Sequence, residues 1–173
     1  MSRHGRPAHD CCAGQVSVRP GRSRLQQGSP AGLWTVKPVL LDTGAIVALL
    51  DPTDSFHQRC ADAMADLGAP LVTCEAVIAE SCYLLRRLPG AGEAVIDNVI
   101  AGVFQIPSQL AETARDVRRI MSKYHDREID LADACLIHLA SSFATGDILT
   151  LDRDFEVYRW GRNNLFHSLI RLR

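Results

Sequence analysis

Four acidic residues, Asp42, Glu80, Asp133 and Asp152, stand where the surrounding sequence points to chemistry rather than to a solvated surface. Asp42 closes the aliphatic run VLLD and is followed by TGAIVALL, so it is the one charged residue between 39 and 50. A carboxylate drawn into apolar surroundings loses hydration, which is costly unless it is paired or bound to a metal. Asp152 follows DILTL in the same way. Glu80 lies among Val77, Ile78, Ala79, Cys82 and Tyr83, and Asp133 stands three residues after Asp130, ahead of ACLIHLA. Each acid has a bland role when taken singly. Asp42 and Asp152 can cap the helices that follow, Asp133 fits a capping arrangement with Asp130, and Glu80 can face water. Taken together they predict a pocket, because ligands of open α/β sheets bind beyond the carboxyl ends of the strands. Clustered carboxylates raise one another's pKa unless a cation holds them ionised. Oxygen donors select Mg²⁺ or Mn²⁺ over zinc. Such an ion lowers the pKa of bound water and clamps phosphate oxygens.

The elements that must position these acids alternate along the chain. Strands are expected at 39–42, 70–73, 103–106, 147–151 and 166–172. Helices are expected at 43–50, 54–68, 75–88, about 91–101, 108–124, 130–144 and, as a short one, 153–159. Asp54 and Ser108 serve as candidate N-caps, Gly68 as a stop, and Pro89-Gly90 ends the helix that carries Glu80. Short apolar strands alternating with helices imply a parallel sheet covered on both faces. Asp42 and Asp152 should then share one sheet edge.

Residues 1–37 differ from the rest. They are rich in Gly, Pro, Ser and Arg without an apolar period, which reads as a disordered tail, or as a start placed too far upstream. They carry six basic side chains against Asp10 alone, a net of +5, so with −1 overall the remaining residues carry −6. An acidic body is a poor general-purpose phosphate binder. Aromatic residues are only 6%, too few for a base-stacking platform. No run approaches the ~20 apolar residues of a membrane span, and no secretory signal opens the chain, so the cytoplasm is the expected compartment. Cys11, Cys12, Cys60, Cys74, Cys82 and Cys135 form no C-x-x-C pair, and the last four lie among apolar residues as small buried hydrophobes would.

LLDTGAIVALLD, VIAE, LADACLIHLA and ILTLDRDF, in that order and spacing, resemble the PIN-domain family, and most of all its VapC-like ribonuclease toxins. The resemblance covers residues 38–173. It implies a three-layer α/β/α fold around a mostly parallel five-stranded sheet, and a Mg²⁺- or Mn²⁺-dependent endoribonuclease. Asp42, Glu80, Asp133 and Asp152 match the family's four acids by motif, Thr43 and Thr150 its hydroxyl positions, and Asp154 a less essential acid. A 5′-phosphate and a 3′-hydroxyl product, a homodimer, and a cognate antitoxin whose C-terminal segment blocks the cleft are implied in the same way. The long tail departs from the family.

Other chemistries fit less well. An aspartyl phosphotransferase needs a second Asp where Gly44 stands, and the only lysines, Lys37 and Lys123, follow no late strand as a receiver domain requires. A P-loop and a G-x-S-x-G elbow are absent. The competing reading of another class is a PIN-fold binding module that has lost catalysis. His57 and His125 read as solvated, and His138 as a core or interface residue. Arg86, Arg87, Arg118, Arg119 and Lys123 carry two readings, phosphate contacts or solvated helix faces.

Overall fold

Val39, Leu40 and Leu41 form the first strand, β1, and all three are buried. Successive strand residues point to opposite faces. Burial of three in a row therefore means that both faces of the sheet are covered, as a parallel α/β sheet requires. The structure is a computed structural model that describes residues 36–171. The tail expected over 1–37 lies outside the described residues except for Val36 and Lys37, which are exposed.

The chain runs from β1 into α1 (Thr43–Leu50) and α2 (His57–Ala65), then β2 (Leu71–Val72), α3 (Glu75–Leu84), α4 (Ala91–Ile100) and β3 (Phe104–Gln105). The second half comprises α5 (Leu110–Lys123), α6 (Leu131–Phe143), β4 (Asp147–Leu149), β5 (Arg159–Trp160), β6 (Asn164–Leu165) and β7 (His167–Ser168). The main sheet has the order β3-β2-β1-β4-β7, with every neighbouring pair parallel. β1 lies at its centre, so the acid that follows β1 emerges mid-edge beside the residues that follow β4. Among the described residues no helix is long and apolar enough to cross a membrane.

α6 shows why the core holds. It is apolar nearly all round, and Ala134, Leu136, Ile137, Leu139 and Ala140 are buried, as a helix pressed between the sheet and α5 must be. α5 is amphipathic and buries only Val117 fully. α1 packs against α2, α3 and α4.

Several expected boundaries need correction. The helix expected at 54–68 starts at His57, because Asp54 caps a turn instead, accepting the Phe56 N–H at 2.7 Å. Gly68 lies beyond its end at Ala65. Ser108 does not cap α5, whose N-cap is Gln109 with no side-chain bond. The helix expected at 153–159 is one 3₁₀ turn over Arg153–Glu156. After it comes an antiparallel hairpin, β5 with β6, that the sequence reading did not contain. The last strand is His167–Ser168 rather than 166–172.

Candidate active site

Asp42 follows β1 with extended backbone and caps α1. Its Oδ1 accepts the Thr43 N–H at 2.7 Å and its Oδ2 accepts the Thr150 hydroxyl at 2.6 Å. The side chain is 6% exposed. Burial, above all, pushes its carboxyl up to about 6, and the charges of Asp152 and Glu80 push the same way against the two hydrogen bonds. Thr150 follows β4, and its hydroxyl has a second task, accepting the Asp152 N–H at 2.9 Å. One hydroxyl thus sets the carboxylate that follows β1 and the backbone of the acid that follows β4.

Thr43 plays the corresponding part toward α3. Its hydroxyl donates to Glu80 Oε2 at 2.8 Å, so Glu80 points to the sheet edge and is half-buried. Asp133 sits in the first turn of α6. Its N–H is capped by Asp130 Oδ1 at 2.8 Å, as the spacing predicted, and its Oδ2 accepts the Tyr158 hydroxyl at 3.2 Å. Burial, followed by the charges of Asp130, Asp42 and Asp152, pushes its carboxyl up to about 8. Asp152 is exposed and caps the next turn, accepting the Asp154 N–H at 2.9 Å.

The four predicted acids and both predicted hydroxyls therefore meet at one end of the sheet. The two acids with raised values, Asp42 and Asp133, feel the other acids and no cation. Among the described residues the ion pairs within 4 Å are Arg119–Asp116 and His167–Asp147, both outside the cluster. Among the described residues no three or more His, Cys, Asp or Glu side chains are placed so that they could together hold a metal ion. Thr43 and Thr150 stand between the acids as hydrogen-bonded spacers. Uncompensated carboxylates with hydroxyls between them are the donor chemistry of a hard divalent cation, and the residues present suit one by donor type.

The other expected site residues stay outside. Asp154 is exposed, and its backbone N–H donates to the Asp152 carboxylate. Arg86 lies over the Tyr83 ring, 3.9 Å from its centroid, and donates to the Tyr83 carbonyl. Arg119 pairs with Asp116 at 2.7 Å, and Lys123 lies 4.7 Å from the Tyr124 ring centroid. Arg87 and Arg118 are exposed. His57 corrects its expectation. It is half-buried, with Nδ1 2.9 Å from the Ala48 carbonyl near the end of α1. His125 is exposed as expected, and His138 is half-buried against a cavity.

Two site residues escaped the sequence reading. Asp130 was seen as a cap and not as a charge acting on Asp133. Tyr158 carries no signal in the sequence. Its ring is buried, edge-on to Tyr124 and Phe155 at 5.1 and 5.5 Å, and this packing aims its hydroxyl at Asp133. No motif marks it, since the contact spans 25 residues.

Comparison with known proteins bears on the family and the fold. Residues 39–161 match the PIN domain family. The chain is 34% identical over 120 residues to ribonuclease VapC26 of Mycobacterium tuberculosis, an alignment covering 66% of this chain and 87% of that protein. Among solved structures it resembles Mycobacterium tuberculosis VapC20, a sarcin–ricin loop cleaving toxin, with a TM-score of 0.63 at 21% identity over 69% of this chain and 93% of that one. At that identity the likeness concerns the fold.

Proposed function

The chain belongs to the PIN-domain family, and from that premise we propose that it is a divalent-metal-dependent endoribonuclease, the toxin of a toxin–antitoxin pair. The observation that carries the reading is the convergence of Asp42, Glu80, Asp133 and Asp152 with no cationic side chain acting on the two buried ones. Its similarity to a ribonuclease over most of that protein's length supports RNA as the substrate.

The same four acids would hold the cation, Mg²⁺ or Mn²⁺. When bound, it would supply activation of water and neutralisation of phosphate charge. The chain's own groups do the rest. Thr150 fixes the Asp42 carboxylate, Thr43 fixes Glu80, and Tyr158 and Asp130 fix Asp133. Without a cation, Asp133 retains a proton at neutral pH, and the cluster still repels an RNA phosphate.

An antitoxin and a second copy of the chain are the proposed protein partners. α3 and α4 pack together and leave Tyr83, Leu84, Ile96 and Ile100 exposed, which is apolar surface such a partner would cover. The test is cleavage of total RNA by purified protein. Cleavage is expected with Mg²⁺ or Mn²⁺ and none in excess EDTA. Undiminished cleavage in EDTA would sink the metal reading. Absence of cleavage with every divalent ion would favour the silent binding module.

A further inference from the structure

A cavity of about 230 Å³ opens between the first turn of α3, the start of α5 and one face of α6. α3 follows β2 and α5 follows β3, so both helices begin at the carboxyl edge of the sheet, where Asp42 follows β1. α6 contributes Leu131, His138 and Leu139, at positions i, i+7 and i+8, which share a helical face. Asp133 points away from that face, to the Tyr158 hydroxyl. None of the four acids lines the cavity. The sheet edge therefore carries two neighbouring features, one built of carboxylates and one mostly apolar.

Leucines supply much of the wall. Leu110 and Leu131 stand at the mouth, each 38% exposed, and Leu139 is buried. Glu75, Thr113 and His138 add a carboxylate, a hydroxyl and a ring nitrogen. Among the described residues Glu75 makes no ion pair within 4 Å. Drug-sized ligands take pockets of about 300–1,000 Å³, so this volume suits one flat ring system. Apolar side chains over the ring faces, with hydrogen-bonding groups at the ring edge, are how an unstacked nucleobase is held. The charge balance points the same way. Residues 38–173 carry a net of −6, so phosphate contacts are a weak source of grip on RNA. A base carries no charge, and an acidic body can hold it.

We infer that this cavity takes a guanine base of the RNA substrate, with Glu75 as the residue that selects it. The inference rests on the proposed ribonuclease activity. A carboxylate accepts two hydrogen bonds side by side. Of the four RNA bases, guanine alone presents a ring N–H and an amino group next to each other on one edge. Adenine and cytosine set an acceptor beside the amino group, and uracil flanks its N–H with two carbonyls. Each of those three turns an acceptor toward the carboxylate. Because the cavity and the acids share one sheet edge, a strand anchored here by its base brings a nearby phosphate to the acids. The base then decides which bond is cut.

The test keeps the full-length protein in EDTA, so that neither a cation nor cleavage enters. Guanosine 5′-monophosphate is titrated while backbone amide shifts are followed by NMR, beside the adenosine, cytidine, uridine and inosine monophosphates. Saturable millimolar binding of the guanosine nucleotide is expected, with shifts centred on Thr113, His138 and Leu139. The inosine nucleotide, which lacks the amino group, should bind more weakly, and the other three more weakly still. Glu75→Gln should weaken the guanosine nucleotide roughly tenfold, and Thr113→Phe, which fills the cavity, should abolish its binding. No shifts at these residues, equal binding of all five nucleotides, or an affinity unchanged in Glu75→Gln would overturn the inference. The wild-type comparison decides even if Thr113→Phe does not fold. Guanine binding in a protein that cuts no RNA with any divalent ion would remove the nuclease reading and keep the pocket. RNA cleavage without guanine binding would do the reverse.

Discussion

At the scale of the residue, Asp152 and Asp154 separate two roles that the sequence places two positions apart. Asp152 lies beside the cluster and raises the carboxyls of both Asp42 and Asp133. Asp154 is exposed and contributes a backbone N–H to the 3₁₀ turn. Asp152→Asn should remove most RNA cleavage and leave the melting temperature unchanged or higher, because one like charge leaves a crowded pocket and an amide oxygen can still cap. Asp154→Asn should keep substantial cleavage and lose about 0.3–1 kcal/mol of a first-turn charge. Paired assays on one RNA at fixed Mg²⁺ decide it, and a dead Asp154→Asn beside an active Asp152→Asn would reassign the site. The pH response has a definite sign. In the unfolded chain both buried acids ionise near pH ~4, while in the folded chain Asp42 rises to about 6 and Asp133 to about 8. The folded state therefore holds more protons between those values. Their contribution to stability is full below pH ~4 and is lost as pH rises through the two folded values. With EDTA present, the melting temperature should fall between about pH 5 and 8.5, and Asp133→Asn should flatten the upper part of that fall. A wild-type curve as flat there as the variant's would contradict it.

At the scale of the element, the β5–β6 hairpin shows what sequence periodicity misses. Its signal was present in RWGRNNL, where Gly161, with φ +56°, and the two asparagines supply turn chemistry between Trp160 and Leu165. Two-residue strands carry too little alternation to register beside it. The same brevity explains why β2, β3 and β7 came out shorter than expected, since a strand lasts only as far as its ladder. The helices were legible because their apolar faces recur over eight residues or more. Asp42 and Asp152 were legible because strand ends point to one edge, whereas the Tyr158 contact with Asp133 depends on packing that no local pattern records. The hairpin closes on Gly146, in the turn before β4. A Cβ there would come 2.5 Å from Trp160 Nε1 and 2.7 Å from the Leu165 carbonyl, the two groups that bond to each other at 2.9 Å. Gly146→Ala should cost about 1–3 kcal/mol, measured by denaturant unfolding, and an unperturbed midpoint would mean that the hairpin yields freely.

At the scale of the whole molecule, the core of the described residues and the family match both lie beyond Val36. A chain beginning at Val36 should keep the melting temperature and the RNA cleavage of the full chain, and a large loss of either would give the basic segment 1–35 a part in folding or substrate binding. The sheet order has a consequence in time. β1 is made early and lies in the middle, yet one of its two partner strands, β4, comes after α6, and the Thr150 hydroxyl that orients Asp42 is 108 residues further along. Such distant pairing is slow to form and cannot begin until both parts exist. At synthesis rates of roughly 5–20 residues per second, the interval is on the order of 5–20 s. Throughout it the nascent chain carries its first acid without the Thr150 hydroxyl and without Asp152, and Asp133 is added only near the end of the interval. On the proposed reading, a ribosome making this chain carries an incomplete acid cluster until residue 152 has been added, so the order of the strands would delay cleavage until synthesis is nearly finished.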